Sequence, residues 1–222
     1  MNRKKAPYSN FFAVFVVLGG IFLQAMPVHA EHDTSLRTDL NLSYRINPQF
    51  QAVSYIFFQA NDEMTIFDYT EWGIGLRYQT PVPWLSFLVY YQQGYTKGED
   101  RQWRLEQKPS LNLNLHATFF TVKFSNQLRY EYRMTPDWDN YRIKNTLTIT
   151  RPVWQVEPLI SWELFYENRE KAVMLHRLKF GISKDIGSHV SAGPYYRMDF
   201  SNTTRRWEWT RQLIGFHVTF RY

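Results

Sequence analysis

Polar and ionic side chains recur at every second position through the middle of this chain: Arg104, Glu106 and Lys108, then Lys123, Gln127, Arg129, Glu131 and Arg133, then Arg142 and Lys144. Further on come Glu157, Glu163 and Glu167, Arg177 and Lys179, and Arg197 and Asp199. Leu128, Tyr130 and Tyr132, or Ile160, Trp162 and Leu164, stand between them. A period of two sends the sets to opposite faces of extended strands. Charges of both signs on one enclosed face have two uses. They can neutralise one another as a ladder of cross-strand pairs, since enclosed charges must be paired or hydrated. They can also line a narrow channel that selects small anionic solutes. The near balance of charge favours the ladder, and with it a structural or accessory role. Neutralising Arg129, Arg133 and Arg142 separates the two, because a pore loses anion preference and a ladder loses thermal stability.

Catalytic chemistry has less to stand on. His116 and His189 fall at strand ends, His217 on the inner face of the last strand, and His176 toward the outside or an interface. None has a serine and a carboxylate at a recognisable spacing, and the motifs of outer-membrane proteases, phospholipases and acyltransferases are not found. The mature region has no His or Cys cluster for a metal. No catalytic, cofactor-binding or metal-binding residue is therefore assigned, no cofactor is expected, and a lipid-modifying enzyme is a minor alternative.

The elements that carry these residues are strands. Leu36, Leu40, Leu42, Tyr44 and Ile46 oppose Arg37, Asp39, Asn41, Ser43 and Arg45, until Asn47-Pro48 breaks the run. Similar runs are expected at 50–59, 65–79, 84–96, 102–116, 119–134, 140–151, 156–167, 173–184, 189–200 and 206–222. Most match or exceed the roughly 9–11 residues that a tilted strand needs to cross a bilayer. Tight breaks at Asn47-Pro48, 80–83, 116–118, Arg151-Pro152 and 185–188 alternate with more polar ones at 61–63, 97–100, 136–139, 168–171 and 201–205. The first set reads as periplasmic turns and the second as outer loops. These features predict an all-β fold, a single up-and-down antiparallel transmembrane β-barrel of 10–12 strands. The runs number eleven, and the even counts of bacterial single-chain barrels favour twelve.

The last run ends on its most specific feature: Ile214, Phe216, Val218, Phe220 and Tyr222 alternate with Gly215, His217, Thr219 and Arg221. It looks like the carboxy-terminal insertion strand of outer-membrane proteins, which implies recognition by the outer-membrane assembly machinery. Left open, so apolar an edge would aggregate.

Arg3, Lys4 and Lys5, the apolar run from Phe11 to Leu23, and Val28-His29-Ala30 read as a secretory signal peptide over 1–30, cleaved after Ala30. The apolar run is short of the roughly 20 residues of a spanning helix. That leader holds three of the 26 Lys and Arg and none of the 20 Asp and Glu, so residues 31–222 are nearly balanced despite a formal net charge of +6. They suffice for one barrel domain. No basic block or zinc-finger spacing supports a nucleic-acid partner. Cysteine is absent, which excludes disulfides and a lipidated cysteine. Aromatic residues make up 18% of a chain whose mean hydropathy is −0.45. A barrel in the outer membrane of a Gram-negative bacterium reconciles the two, with rings toward its lipid partners and polar groups inside. Tyr78, Trp84 and Trp154 at the turn end, and Tyr95, Trp103, Trp138, Tyr141, Trp207 and Trp209 near the loops, suggest two interfacial girdles. The oligomeric state is left open.

Leu128-Arg129-Tyr130-Glu131-Tyr132-Arg133, Tyr141-Arg142-Ile143-Lys144, Trp162-Glu163-Leu164-Phe165-Tyr166 and His176-Arg177-Leu178-Lys179-Phe180-Gly181 together resemble an uncharacterised bacterial family, domain of unknown function 2490. The likeness is specific from about Arg129 to Gly181. It implies an outer-membrane barrel and supplies no chemistry. Lys144 and Lys179 stand where arginine is commoner in that family. Narrow oligosaccharide porins are a looser comparison, through size and basic lumen alone.

Overall fold

A computed structural model of the chain describes residues 33–61, 66–98, 100–202 and 206–222. The leader assigned to 1–30 and its cleavage site lie outside the described residues. Eleven strands form one closed barrel: β1 (Asp33–Arg45), β2 (Phe50–Asn61), β3 (Ile66–Gln79), β4 (Leu85–Lys97), β5 (Trp103–Phe119), β6 (Val122–Met134), β7 (Asp139–Thr150), β8 (Val156–Glu167), β9 (Ala172–Ile186), β10 (Val190–Asn202) and β11 (Trp207–Arg221). Every sequential pair is antiparallel. The closing pair is parallel, running in one register from Asp33 beside Arg211 to Ser43 beside Arg221.

That seam corrects the preference for twelve strands. In an up-and-down barrel with an odd count the first and last strands point the same way, so closure must use one parallel pair. Because β1 bonds directly to both β11 and β2, no strand lies between them, and β1 is a wall strand. The start of β1 and the end of β11 consequently sit at opposite ends of the barrel.

Turn chemistry sets the strand limits. Asn47 Oδ1 accepts from the backbone N–H groups of Gln49 (2.9 Å) and Phe50 (2.8 Å), which folds the β1–β2 turn. Thr80 Oγ1 donates to the Val82 carbonyl (2.8 Å) in the proline-rich β3–β4 turn. The break expected at 116–118 falls later, because β5 runs on to Phe119 and a two-residue turn with Phe120 at φ 53° leads straight into β6. Phe120 carries none of the usual signs of a left-handed position. The connections at the opposite end, read as outer loops, are about as short as the turns.

Alternation sorts the faces as period two requires. Leu36, Leu40, Leu42, Ile74, Leu76, Leu128, Tyr130, Ile143, Leu147, Trp162, Ile214 and Phe216 are exposed on the outside. Gln92, Lys108, Asn112, Glu131, Arg197 and Asp199 are buried on the inside. A water-soluble sheet does the opposite. Along the seam, Leu36, Thr38, Leu40 and Leu42 lie beside Ile214, Phe216, Val218 and Phe220, which continues the apolar exterior across the parallel pair.

A candidate functional site at the waist of the barrel

Hydrogen-bonded register carries the inward charges into three cross-strand rows. One crosses β1 to β5 through Asp39, Phe57, Glu71, Gly94 and Glu106. A second crosses β6 to β8 through Glu131, Arg142 and Glu167. A third crosses β8 to β11 through Glu163, Arg177, Asp199 and Arg211. In the second and third rows opposite charges face each other directly, which is the favourable cross-strand arrangement.

The side chains then gather into three bonded networks that together make a ring of charge around the waist. Arg142 reaches Glu131 (2.6 Å) and Glu167 (3.4 Å), and Arg129 takes the other oxygen of Glu131 (3.3 Å). Arg133 bonds Glu106 and crosses β7 to Glu167 (3.2 Å). Glu163 pairs with Lys144 (2.9 Å) and Arg177 (3.7 Å), Arg177 with Asp199 (3.2 Å), and Asp199 with Arg197 (2.8 Å). Arg37 pairs with Asp39 (2.6 Å), which also accepts from the Tyr195 hydroxyl. Glu71 accepts from the hydroxyls of Tyr55 and Tyr69, both at 2.5 Å, and from Lys108, which also approaches Glu106 (3.5 Å). Each of these carboxylates has at least two donors, so the desolvation of its charge is offset locally.

Two links pass over a strand where that strand is glycine. Lys108 on β5 reaches Glu71 on β3 past Gly94 of β4, whose missing Cβ would lie 3.3 Å from Lys108 Nζ and 3.2 Å from the Tyr69 hydroxyl. Tyr195 on β10 reaches Asp39 on β1 past Gly215 of β11, where a Cβ would lie 2.1 Å from the ring. Close approach of a neighbouring group is what these strand glycines permit.

Aromatic faces serve as further partners for the cations. Phe165, buried on the inward face of β8, has Arg177, Arg142 and Lys144 within 4.6–5.1 Å of its ring centroid. The Arg37 guanidinium lies 3.3 Å over Phe57, and Lys179 lies 3.9 Å from the centroid of Tyr195. Cation–π attraction of this kind strengthens where water is displaced.

Of the fourteen residues assigned to the ladder, eleven (Glu106, Lys108, Arg129, Glu131, Arg133, Arg142, Lys144, Glu163, Glu167, Arg177 and Arg197) meet in this ring. Arg104 and Glu157 stand apart from it. Arg104 is exposed at the loop rim beside Asp100 (3.4 Å), and Glu157 pairs with Lys123 (2.8 Å) near the turn end. Asp100 is held below the usual carboxylate range first by the Gln102 backbone N–H and then by Arg104. Lys179 faces the lumen with Tyr195 as its neighbour. Glu71, Tyr55, Tyr69, Phe57, Phe165 and Tyr195 complete the ring and were not singled out from sequence. The two phenylalanines break the rule of polar residues inside. Trp138, assigned to a girdle, lies over Arg133 instead, 5.3 Å from its guanidinium. Trp84 and Trp154 are exposed, and His176 stacks on Phe200 (4.6 Å) near the loops.

Four of the expected insertion residues lie on the outward face of β11, and Tyr222 follows its last residue. Ile214, Phe216 and Tyr222 are exposed, and Val218 and Phe220 are half-exposed.

Cavities flank the ring. One of about 590 Å³ runs toward the turn end between β1–β4 and β8–β11, bounded by Arg37, Arg77, Tyr90, Lys179 and Arg221 among others. Another, of about 460 Å³, opens at the loop end beside Arg104, Glu106, Arg133 and Trp138.

A closed all-β barrel with an ion-paired interior and an apolar exterior is thus the class of protein that fold and site define. The chain belongs to the family described as Protein of unknown function (DUF2490), whose profile matches residues 35–210. No curated protein matches its sequence. Among solved structures it is similar to the anion-selective porin from Comamonas acidovorans, at 13% identity and a TM-score of 0.39. The match covers 76% of this chain and 54% of the porin, so the chain spans about half of that protein's length. At that level the likeness carries no inference about transport.

Proposed function

We propose that the chain is a bacterial outer-membrane β-barrel whose lumen is shut at the waist and whose role is structural or accessory, without catalysis of its own. The observation that carries this reading is the burial of the ring. An aqueous pore keeps its lining wet, yet the ion-paired side chains of the ring are between 3% and 23% exposed, with Lys108 and Glu131 at 3%. Placement in the membrane rests on the inverted polarity of the wall and on strands of 12–17 residues. The turn end, with the last strand's terminus, then faces the periplasm. Outer-membrane lipids are the partners of the exterior, and the assembly machinery reads Ile214, Phe216, Val218, Phe220 and Tyr222.

A narrow channel for small anionic solutes is the second reading, favoured by the excess of cations around the turn-end cavity. Purified barrel in planar bilayers decides between them. The shut barrel gives no steps above leak at moderate voltage, and steady single-channel current carried by anions would replace the first reading with the second.

A further inference from the structure

The turn-end cavity holds more positive charge than the waist ring uses. Five cations border it (Arg37, Arg77, Lys179, Arg197 and Arg221), and Asp39 is the sole carboxylate among its lining residues. Three of the five have acidic partners: Arg37 with Asp39, Arg197 with Asp199, and Arg221 with Asp185. Arg77 and Lys179 have no carboxylate within ion-pair distance among the described residues. The Arg77 guanidinium donates to Gln51 Oε1 (3.0 Å), while its Nε is buried without an acceptor. Lys179 has the face of Tyr195 at 3.9 Å, while Asp39 and Glu163 act on it from beyond ion-pair distance. Two cations with no directly bonded carboxylate, on the wall of one cavity, are incompletely neutralised.

An anion supplies what is missing. Of the chemistries that suit guanidinium and ammonium groups, phosphate and carboxylate oxygens match best, because they accept from the planar fork of Arg77 and from the point charge of Lys179 at once. A volume of about 590 Å³ lies within the range of small-molecule sites and exceeds what a monatomic ion needs. A cleft lined by one sign of charge within low-dielectric walls also concentrates ions of the opposite sign.

We propose that the turn-end cavity is a binding site for a small oxyanion carrying two or more negative charges on phosphate or carboxylate groups, held between Arg77 and Lys179. It opens away from the waist ring, so the site does not require the lumen to be shut. A barrel that binds the anion and conducts would keep this inference and lose the closed waist, and a shut barrel that binds nothing would do the reverse.

Calorimetric titration of the purified barrel in detergent with pyrophosphate and, separately, with citrate tests the site, at fixed ionic strength balanced by chloride. Saturable binding at one site is expected for at least one probe, and the better probe tells phosphate from carboxylate. Replacing Arg77 and Lys179 together by glutamine is expected to weaken it by about tenfold for each lost contact. If that pair does not fold, Gln51→Glu remains informative, since a carboxylate beside Arg77 supplies the counter-charge internally. It should lower oxyanion affinity and raise the melting temperature in oxyanion-free buffer. No saturable binding of either probe, displacement by chloride at equal charge concentration, or unchanged affinity in the variants that fold would overturn the proposal.

Discussion

Glutamine in place of Glu131 is expected to be among the most damaging single changes in the interior, with a loss of about 3–5 kcal/mol in unfolding free energy. The substitution keeps the side chain's shape but removes its charge and turns one of its two accepting oxygens into an NH2 donor that would face a guanidinium. Glu131 is buried and its two oxygens serve two guanidiniums, Arg142 at 2.6 Å and Arg129 at 3.3 Å. Taking away the shared carboxylate leaves Arg129 with no acidic side chain at ion-pair distance among the described residues, and Arg142 with Glu167 at 3.4 Å. Arg129 then keeps its bond to Gln127 Oε1 (3.2 Å) and the distant charge of Glu71, too little to offset a buried guanidinium. Arg104→Gln is the matching control, because the pair with Asp100 lies in solvent at the rim and exposed pairs contribute little. Urea unfolding from lipid vesicles, followed by tryptophan fluorescence, should separate the two variants widely. Equal stabilities would mean that the ring holds nothing together.

Valine at Gly215 should produce the second large effect, by a different route. The first added atom would lie 2.1 Å from the Tyr195 ring, far inside contact distance, so the ring must leave its place over β11. Displaced, Tyr195 no longer donates to Asp39, and the link that joins β10 to β1 across the seam is broken. Overpacking costs about 1–3 kcal/mol and the lost bond to a charged group about 1.5–3 kcal/mol. Tyr195→Phe isolates the second contribution, since the ring stays and only the hydroxyl goes. Alanine at Gly94 serves as a graded comparison. Its Cβ would meet the Tyr69 hydroxyl and Lys108 Nζ at 3.2–3.3 Å, which a few tenths of an ångström of movement relieves. The expected order of melting temperatures is wild type, then Gly94→Ala, then Tyr195→Phe, with Gly215→Val lowest. A Gly215→Val protein as stable as wild type would mean that the passage of Tyr195 over Gly215 holds nothing in place.

The strands of this fold are legible because alternation between apolar and ionic residues leaves little choice of face. From β6 to β10 the inward set read from Arg129 to Arg197 is the set that lies inside, since an arginine on the outer face at mid-height would cost about 2–4 kcal/mol in lipid. Partners were harder to read than faces. Glu71 is the hub of the β2–β5 side, yet it stands in Tyr69-Thr70-Glu71-Trp72-Gly73, where no charged residue lies within four positions on its face. Its partner Lys108 is two strands away and reaches it only because Gly94 intervenes, a relation fixed by the register of two separate hairpins. Phe57 and Phe165 are illegible for the opposite reason. Reading each position as apolar-out or polar-in has no place for a ring inside, although a ring among cations is a polar partner. The strand count was legible in the eleven runs themselves. Only the expectation of an even number argued for twelve, and the parallel seam between β1 and β11 makes an odd closure sound.

The closed waist is tested most directly by asking whether a reagent can pass it. The chain has no cysteine of its own, so Ser43→Cys in the turn-end cavity and Arg104→Cys at the loop rim can be combined in one otherwise thiol-free barrel. With this variant in sealed vesicles and a charged, membrane-impermeant maleimide outside, each molecule should take up one label, whichever way it is inserted, and a second only after detergent is added. Intact-mass spectrometry reads the difference. Two labels per molecule without detergent would mean that the lumen is open from end to end and that the ring of ion pairs does not shut it.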